Sequence, residues 1–147
     1  MVIRAGILSE IIPFIAKDVI KVITGIRRCG KSTLLEQIKD RIIKEIDPGA
    51  PYFYVNLDDE ANGEYLKKGV LFAKLEQVLQ ENKSRKVYFF LDEIHDVEEW
   101  ERTVNSIRMR PNADIYITGS NSKLLSGELP TYLTGRYVEF GLSPFSF

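Results

Sequence analysis

The sequence predicts a three-layer αβα fold built on a mainly parallel, five-stranded sheet. Two observations predict it: strand-length apolar segments alternate with helix-length amphipathic segments, and the central strand candidate lacks polar alternation. Parallel strands covered by helices on both faces are typically continuous apolar runs. The strand candidates are residues 19–24, 52–57, 87–91, 114–118 and 136–140.

Helical periodicity separates these strands. Residues 31–46 place five apolar side chains on one helical face, residues 65–80 carry apolar side chains at helical spacing, and residues 97–107 repeat them at steps of three and four. In a parallel sheet of this kind, ligands bind beyond the carboxyl ends of the strands. We therefore expect the functional residues directly after the strands.

The composition predicts one soluble domain over residues 1–147. The chain is 44% hydrophobic and 28% charged, and its net charge of −1 gives no general attraction for nucleic acid. The longest uncharged run, residues 48–57, is too short to span a bilayer. Cys29 is the only cysteine, which excludes an intrachain disulfide and favours a cytoplasmic location.

A phosphate-binding pattern lies between the first strand and the first long helix. Residues 25–32 match G-x-x-x-x-G-K-[ST], in which backbone N–H groups of the loop and of the helix N-terminus surround nucleotide phosphates. Lys31 would reach the β- and γ-phosphates, and the Ser32 hydroxyl would bind Mg²⁺. The predicted nucleotide-binding residues are Gly25, Ile26, Arg27, Arg28, Cys29, Gly30, Lys31, Ser32 and Thr33.

Acidic residues follow two of the predicted strands. Asp92 ends the apolar run 87–91, as in a Walker B segment, and we expect it to hold Mg²⁺ opposite Ser32. Glu93 stands where a carboxylate can polarise the water that attacks the γ-phosphate. Glu60, after the second strand, is a rival for that role. The alternative for Asp92 and Glu93 is that they only cap the segment that follows.

Polar residues also follow the fourth strand. Ser120 and Asn121 are candidates to contact the γ-phosphate or the attacking water, and capping of a helix N-terminus is the alternative for both. His95, the single histidine, has no second histidine or free cysteine nearby in sequence for a metal site, so we expect it to act as a hydrogen-bonding or surface residue. Residues 121–124 lack the aspartate of a guanine-reading N-K-x-D motif, which favours ATP over GTP.

Four segments, in this order, resemble the AAA+ superfamily and, within it, a group of prokaryotic, largely archaeal ATPases: "GIRRCGKST", "VYFFLDEIH", "IYITGSNSKLLS" and "LTGRYVEFGLSPFSF". The resemblance covers residues 19–147 and implies a P-loop NTPase core domain that hydrolyses ATP with Mg²⁺. It implies that this hydrolysis drives conformational change in a partner or a neighbouring subunit.

The same resemblance assigns roles to three residues. Ser120 or Asn121 matches the family's sensor 1, and Arg136 is similar to an arginine finger or sensor arginine. Such an arginine stabilises transition-state charge, often on a neighbour's nucleotide. Members of the family continue into a helical lid and usually a further domain, so we expect residues 1–147 to be either a fragment or a minimal core. As a fragment they would hydrolyse ATP slowly or not at all.

A second hypothesis is a nucleotide-controlled binding module, perhaps on DNA, with little turnover. Arg102, Arg108 and Arg110 would then form a local basic patch, although a solvated helix face explains the same residues. For either function, the expected partners are ATP and a homo-oligomer or an unidentified protein. No membrane partner is expected.

Overall fold

Five parallel strands form a single sheet in the computed structural model, which describes residues 5–25, 30–124 and 136–142. The order across the sheet is β2-β3-β4-β1-β5, and every neighbouring pair is parallel. The predicted fold class and all five predicted strands are confirmed, with differences only at the strand ends. The strands are β1 (Ile20–Thr24), β2 (Tyr52–Asn56), β3 (Val87–Asp92), β4 (Ala113–Gly119) and β5 (Tyr137–Gly141).

The helices differ more from their predicted bounds. They are α1 (Ala5–Ile11), α2 (Lys31–Arg41), α3 (Val70–Glu81), α4 (Trp100–Arg108) and α5 (Asn121–Leu124). A wider π-helical segment, Ile42–Ile46, completes the helix predicted over 31–46. The helix predicted from residue 65 begins only at Val70, because Gly69 precedes it in the left-handed region at φ 83°. Helix α1 was not predicted.

The two faces of the sheet carry separate cores, as the alternation of side chains along each strand requires. On β3, Phe89 and Leu91 face the cluster formed with α3 and α4, whereas Tyr88 and Phe90 face α1 and α2. All four are almost fully buried. Burial of one such side chain is worth about 1.5–3 kcal/mol, so the two cores hold the helices against the sheet.

The strand order creates a crevice at the carboxyl end of β1. The chain leaves β1 through α2 on one face and crosses β4 and β3 to reach β2, then returns to β3 and β4 through α3 and α4 on the other face. The described residues that follow the adjacent strands β1 and β4 accordingly pack on opposite faces, α2 on one face and Leu124 of α5 on the other. Such a switch point is where ligands bind in open parallel sheets.

A buried ion pair closes the opposite, amino-terminal edge of the sheet. Lys21 and Asp114 are 0% and 1% exposed and contact each other directly. Asp114 also accepts hydrogen bonds from the Ala16 amide at 2.9 Å and the Tyr116 hydroxyl at 2.7 Å, and Lys21 donates to the Lys17 carbonyl at 2.9 Å. The pair thus fastens the segment after α1 to the sheet.

Within the ranges given above, no helix is long and apolar enough to cross a membrane.

Candidate functional site

Lys31 links the ends of two strands at the crevice. It is the first residue of α2, directly after Gly30, whose φ of 98° lies in the left-handed region that favours glycine. The buried Lys31 ammonium donates to the Gly25 carbonyl at 2.7 Å and lies 3.2 Å from a carboxylate oxygen of Glu93. One cation therefore contacts both the loop after β1 and the residue after β3.

Asp92 is held by two hydroxyl groups. Ser32 donates to Oδ2 and Thr118 donates to Oδ1, each at 2.5 Å. The pKa of Asp92 is raised above its ordinary value. Burial is the main cause, and the hydrogen bonds from Ser32 and Thr118 oppose it in part. The carboxylate is thus fixed in orientation beside Ser32, which is itself exposed to a ligand approaching the crevice.

Thr118 is a site residue that sequence reasoning missed. It is the polar residue near the end of β4, and the register that pairs Leu91 with Ile117 places it beside Asp92. Its Oγ1 donates to Asp92 and accepts from the Glu93 amide at 2.8 Å, so one hydroxyl positions both acids. The available signal was a threonine at the carboxyl end of a strand next to the Walker B strand.

Glu93 has a strained backbone. Its φ and ψ of 57° and 54° lie in the left-handed region, which costs a residue with a side chain on the order of 1 kcal/mol or more. Its amide is paired with Thr118, and its 18%-exposed side chain reaches Lys31. Strain of this kind persists only where surrounding contacts enforce it, and it often marks a functional residue.

His95 lies beside Glu93 with its side chain 9% exposed, so of the two expected roles, surface or hydrogen-bonding, the surface role does not fit. Its Nδ1 lies 3.6 Å from Glu93 Oε2 and has no hydrogen-bond partner among the described residues. The buried Ser120 hydroxyl likewise has no partner within those ranges. An unpaired buried polar atom costs about 1–3 kcal/mol, so both atoms mark positions where a water or a ligand oxygen can bind.

Gly119 leaves room for this arrangement. A Cβ atom at this position would lie 2.7 Å from Leu124 Cγ and 3.0 Å from His95 Nδ1. The Gly119 carbonyl also accepts the Gly25 amide at 3.3 Å, which ties the end of β4 to the loop after β1. Only glycine allows β4 to pass this close to its neighbours.

The oxygen atoms at the crevice suit Mg²⁺ bound together with phosphates. The described residues contain no group of three or more histidine, cysteine or acidic side chains able to hold a metal by themselves. Mg²⁺, however, usually takes one or two carboxylates and completes its shell with phosphate and water oxygens. Ser32 and Asp92 supply one hydroxyl and one carboxylate in direct contact, so they fit this ion.

The other predicted nucleotide-binding residues are only partly described. Gly25 and Gly30 flank the loop, and Thr33 lies half-buried in the first turn of α2. The remaining four predicted positions lie outside the described residues: Ile26, Arg27, Arg28 and Cys29.

The predicted sensor residues begin α5. The Ser120 carbonyl accepts the amides of Lys123 at 3.1 Å and Leu124 at 2.9 Å. The backbone of Ser120 therefore caps α5, and its hydroxyl makes no capping bond within the described ranges. Asn121 is the first residue of α5. Both positions lie at the carboxyl end of β4, next to the crevice.

The rival base, Glu60, lies in a different environment. It is exposed at the start of a 3₁₀ segment, Glu60–Leu66, that Asp59 caps by accepting the Ala61 amide at 3.0 Å. Asn56, at the end of β2, pairs in register with Asp92, but the chain turns away before reaching Glu60. Of these two acids, Glu93 is the one that contacts Lys31 within the described ranges.

Arg136 lies at the amino-terminal ends of the strands, opposite the crevice. It is exposed and precedes β5, and its carbonyl accepts the amide of Ile20, the first residue of β1. At about 3.3 Å per residue, the length of β1 separates it from the crevice by roughly 16 Å, beyond the reach of an arginine side chain. A role as sensor arginine for the nucleotide of its own chain therefore receives no support from this position.

The predicted basic patch on α4 is largely neutralised. Arg102 pairs with Glu99 at 3.2 Å, and Arg110 Nε donates to Glu76 at 3.1 Å. Of the three arginines only Arg108 lacks an ion pair with a described residue; its Nη2 donates weakly to Asn105 at 3.4 Å. A patch formed by all three therefore receives no support. Glu99 lies only three positions before Arg102, whereas Glu76 lies 34 positions from Arg110.

The sheet order and the crevice match a P-loop fold of the AAA+ type, as the sequence motifs predicted. A family model described as "AAA domain" matches residues 17–147, and the chain belongs to this family.

Two curated relatives share much of the sequence. An uncharacterized protein of Haemophilus influenzae is 42% identical over 147 residues, covering 100% of this chain and 36% of the relative. An uncharacterized protein of Methanocaldococcus jannaschii is 34% identical over 149 residues, covering 99% of this chain and 30% of the relative. The chain thus spans about a third of the length of these relatives.

Solved structures share the fold at low sequence identity. PCH-2 of C. elegans superposes with a TM-score of 0.60 at 16% identity, covering 95% of this chain and 42% of that one. AMPPCP-bound DnaA from Aquifex aeolicus gives a TM-score of 0.55 at 20% identity, covering 90% of this chain and 43% of that one. At these identities the likeness concerns the fold alone.

Proposed function

We propose that this chain binds ATP with Mg²⁺ and hydrolyses it, and that hydrolysis drives conformational change in a partner or neighbouring subunit. The observation that supports this most strongly is the convergence of Lys31, Ser32, Asp92 and Glu93 at one crevice. Membership of the AAA family supports nucleotide binding, and DnaA, with a similar fold, binds the ATP analogue AMPPCP.

Phosphate binding would exchange the partners of Lys31. Its ammonium now contacts the Gly25 carbonyl and the Glu93 carboxylate. Phosphate oxygens entering between β1 and α2 would take over this cation and gain the charge-assisted hydrogen bonds that it offers. Glu93 would then be released from its ion pair and become available to a water molecule.

The chemical step requires a polarised water and a stabilised phosphoryl group. Glu93 would accept a proton from the attacking water, while the Thr118 hydroxyl holds the Glu93 backbone in place. Ser32 and Asp92 would hold Mg²⁺, which neutralises charge that develops on the phosphate oxygens. The unpaired Ser120 hydroxyl and His95 Nδ1 offer hydrogen bonds to the water or to the γ-phosphate.

Coupling to a neighbour would use the ends of β4 and β5. Ser120 and Asn121 would sense the γ-phosphate, because they follow β4 at the crevice. Arg136 would act on the nucleotide of a neighbouring molecule, since it is exposed and distant from the crevice of its own chain. The client of this movement in the whole protein, and its cytoplasmic location, are part of the same proposal.

Binding of a fluorescent ATP analogue with Mg²⁺ tests the first half of the proposal. We expect Lys31→Ala to bind at least about tenfold more weakly than the parent, because a buried cation that pairs with phosphate is lost. Lys44→Ala, an exposed lysine beyond α2, is the matched control and should bind like the parent. Equal affinity of Lys31→Ala and Lys44→Ala would contradict the proposal.

A further inference from the structure

A second cavity lies at the amino-terminal edge of the sheet, on the opposite side from the crevice. Its volume is about 560 Å³, and its charged lining residues are Asp18, Lys86, Arg108, Arg110 and Arg136. The cavity belongs to no part of the proposed ATP site, which lies at the carboxyl ends of the strands. Its lining comes from the segment before β1, the start of β3, the end of α4 and the start of β5.

Cations outnumber carboxylates in this lining. Arg110 is neutralised by Glu76, which leaves Lys86, Arg108 and Arg136 against the single carboxylate of Asp18. None of these three cations makes an ion pair with another residue in the described ranges, although the chain as a whole has a net charge of −1. The lining of this cavity thus carries a net positive charge.

Arg108 provides an independent argument for an anion at this cavity. Its Nε is buried and has no hydrogen-bond partner among the residues the structure describes. A guanidinium N–H that is shielded from water and unpaired costs free energy, and an anion bound in the cavity would recover it. Within the described ranges Arg108 donates one side-chain hydrogen bond, from Nη2 to Asn105 Oδ1 at 3.4 Å, which leaves most of its donors available.

Lys86 of the cavity also affects Lys21, which lies in the sheet. Burial is the main cause of the lowered pKa of Lys21, Asp114 opposes it, and the nearby positive charge of Lys86 lowers the pKa further. The Asp114 carboxylate is already paired with Lys21, so it does not offset the positive charge of the cavity. Lys86 and Arg108 therefore line one cavity in which Asp18 is the single acidic lining residue.

We propose that this cavity binds a phosphate group. Arginine presents a planar fork of donors that matches phosphate oxygens, and lysine adds a point charge, so Arg108 and Lys86 together form a typical phosphate-binding pair. The phosphate can belong to a compact compound or to the backbone of a nucleic-acid strand. The proposal does not depend on ATP hydrolysis, and it does not use the proposed action of Arg136 on a neighbour.

Calorimetric titration with pyrophosphate, and fluorescence anisotropy with a labelled single-stranded oligonucleotide of about 12 nucleotides, test the two sources of phosphate. The central variant is Lys86→Glu/Arg108→Glu. The matched control is Lys83→Glu/Arg102→Glu, which changes the net charge equally at two exposed positions outside the cavity. Because pyrophosphate can also enter the crevice, the same titrations are made with Lys31→Ala.

We expect binding that survives Lys31→Ala and weakens about 30-fold in Lys86→Glu/Arg108→Glu, with a change of about twofold in the control pair. If Lys86→Glu/Arg108→Glu loses pyrophosphate binding, the site takes compact phosphates. If the same variant loses only oligonucleotide binding, the site takes a nucleic-acid strand. If Lys31→Ala abolishes all binding, or if the control pair weakens it equally, the proposal is wrong. Should charge reversal unfold the chain, Lys86→Gln/Arg108→Gln makes the same comparison.

Discussion

Replacing Thr118 with valine removes one hydroxyl at almost constant volume. In the structure this hydroxyl donates to Asp92 at 2.5 Å and accepts the Glu93 amide at 2.8 Å, and Thr118 is fully buried. Thr118→Val therefore leaves a buried carboxylate oxygen and a backbone N–H each without a partner. The valine methyl group fits the same space, so packing changes little.

The expected loss of stability follows from these two bonds. A hydrogen bond to a charged group contributes about 1.5–3 kcal/mol, and a backbone N–H left unpaired costs about 1–3 kcal/mol. Because local adjustment recovers part of this, we expect the free energy of unfolding to fall by about 2–4 kcal/mol, out of the ~5–15 kcal/mol typical of a domain. Loss of the Glu93 amide bond should also release the strained backbone that positions this acid.

Urea unfolding measures the first effect, and ATP binding and phosphate release measure the second. Phosphate release by Thr118→Val should fall about tenfold or more while ATP affinity changes less, because Glu93 is mispositioned for the water and not for binding. Thr118→Ser should restore both. The control is Thr103→Val on α4, which makes the same chemical change away from the crevice. If Thr118→Val is no less stable than Thr103→Val, the assigned roles of this hydroxyl are wrong.

Three further substitutions follow from single contacts. Gly119→Ala places a Cβ 2.7 Å from a Leu124 carbon and should cost about 1–3 kcal/mol of unfolding free energy, measured in urea; an unchanged value would show that α5 yields freely. Lys21→Met leaves Asp114 buried without its cation and should cost about 3–5 kcal/mol, with a loss under ~1 kcal/mol contradicting the ion pair. His95→Phe keeps an aromatic ring but removes Nδ1; phosphate release should fall by about tenfold with ATP binding retained, and parent-like release would show that His95 has no part in the reaction.

The strands and the P-loop could be predicted because their signals are local. Residues 87–91 are apolar throughout, and the spacing of Gly25, Gly30 and Lys31 is readable without knowing any contact. The same holds for Asp92, which directly ends its strand. These elements need only strand propensity, helical periodicity and the chemistry of one short motif.

The missed features depend on pairing between distant segments. Thr118 meets Asp92 only through the register of β3 and β4, 26 positions apart, and Lys21 meets Asp114 across 93 positions. The sequence of a strand does not identify which strand pairs with it. Likewise the neutralisation of Arg110 requires Glu76 on another helix. Charge and burial at such positions follow from strand order, which the alternation of elements does not specify.

Phosphate release with Mg²⁺ and ATP, compared among the parent, Glu93→Gln and Glu60→Gln, tests the account most directly. Glutamine keeps the size of each side chain but cannot accept the proton of the attacking water. The account predicts that Glu93→Gln binds ATP at least as well as the parent, because it removes the ion pair that competes for Lys31, yet releases no phosphate. Glu60→Gln, an exposed acid away from the crevice, should turn over like the parent. Full turnover by Glu93→Gln, or its loss in Glu60→Gln alone, would contradict the assignment of Glu93.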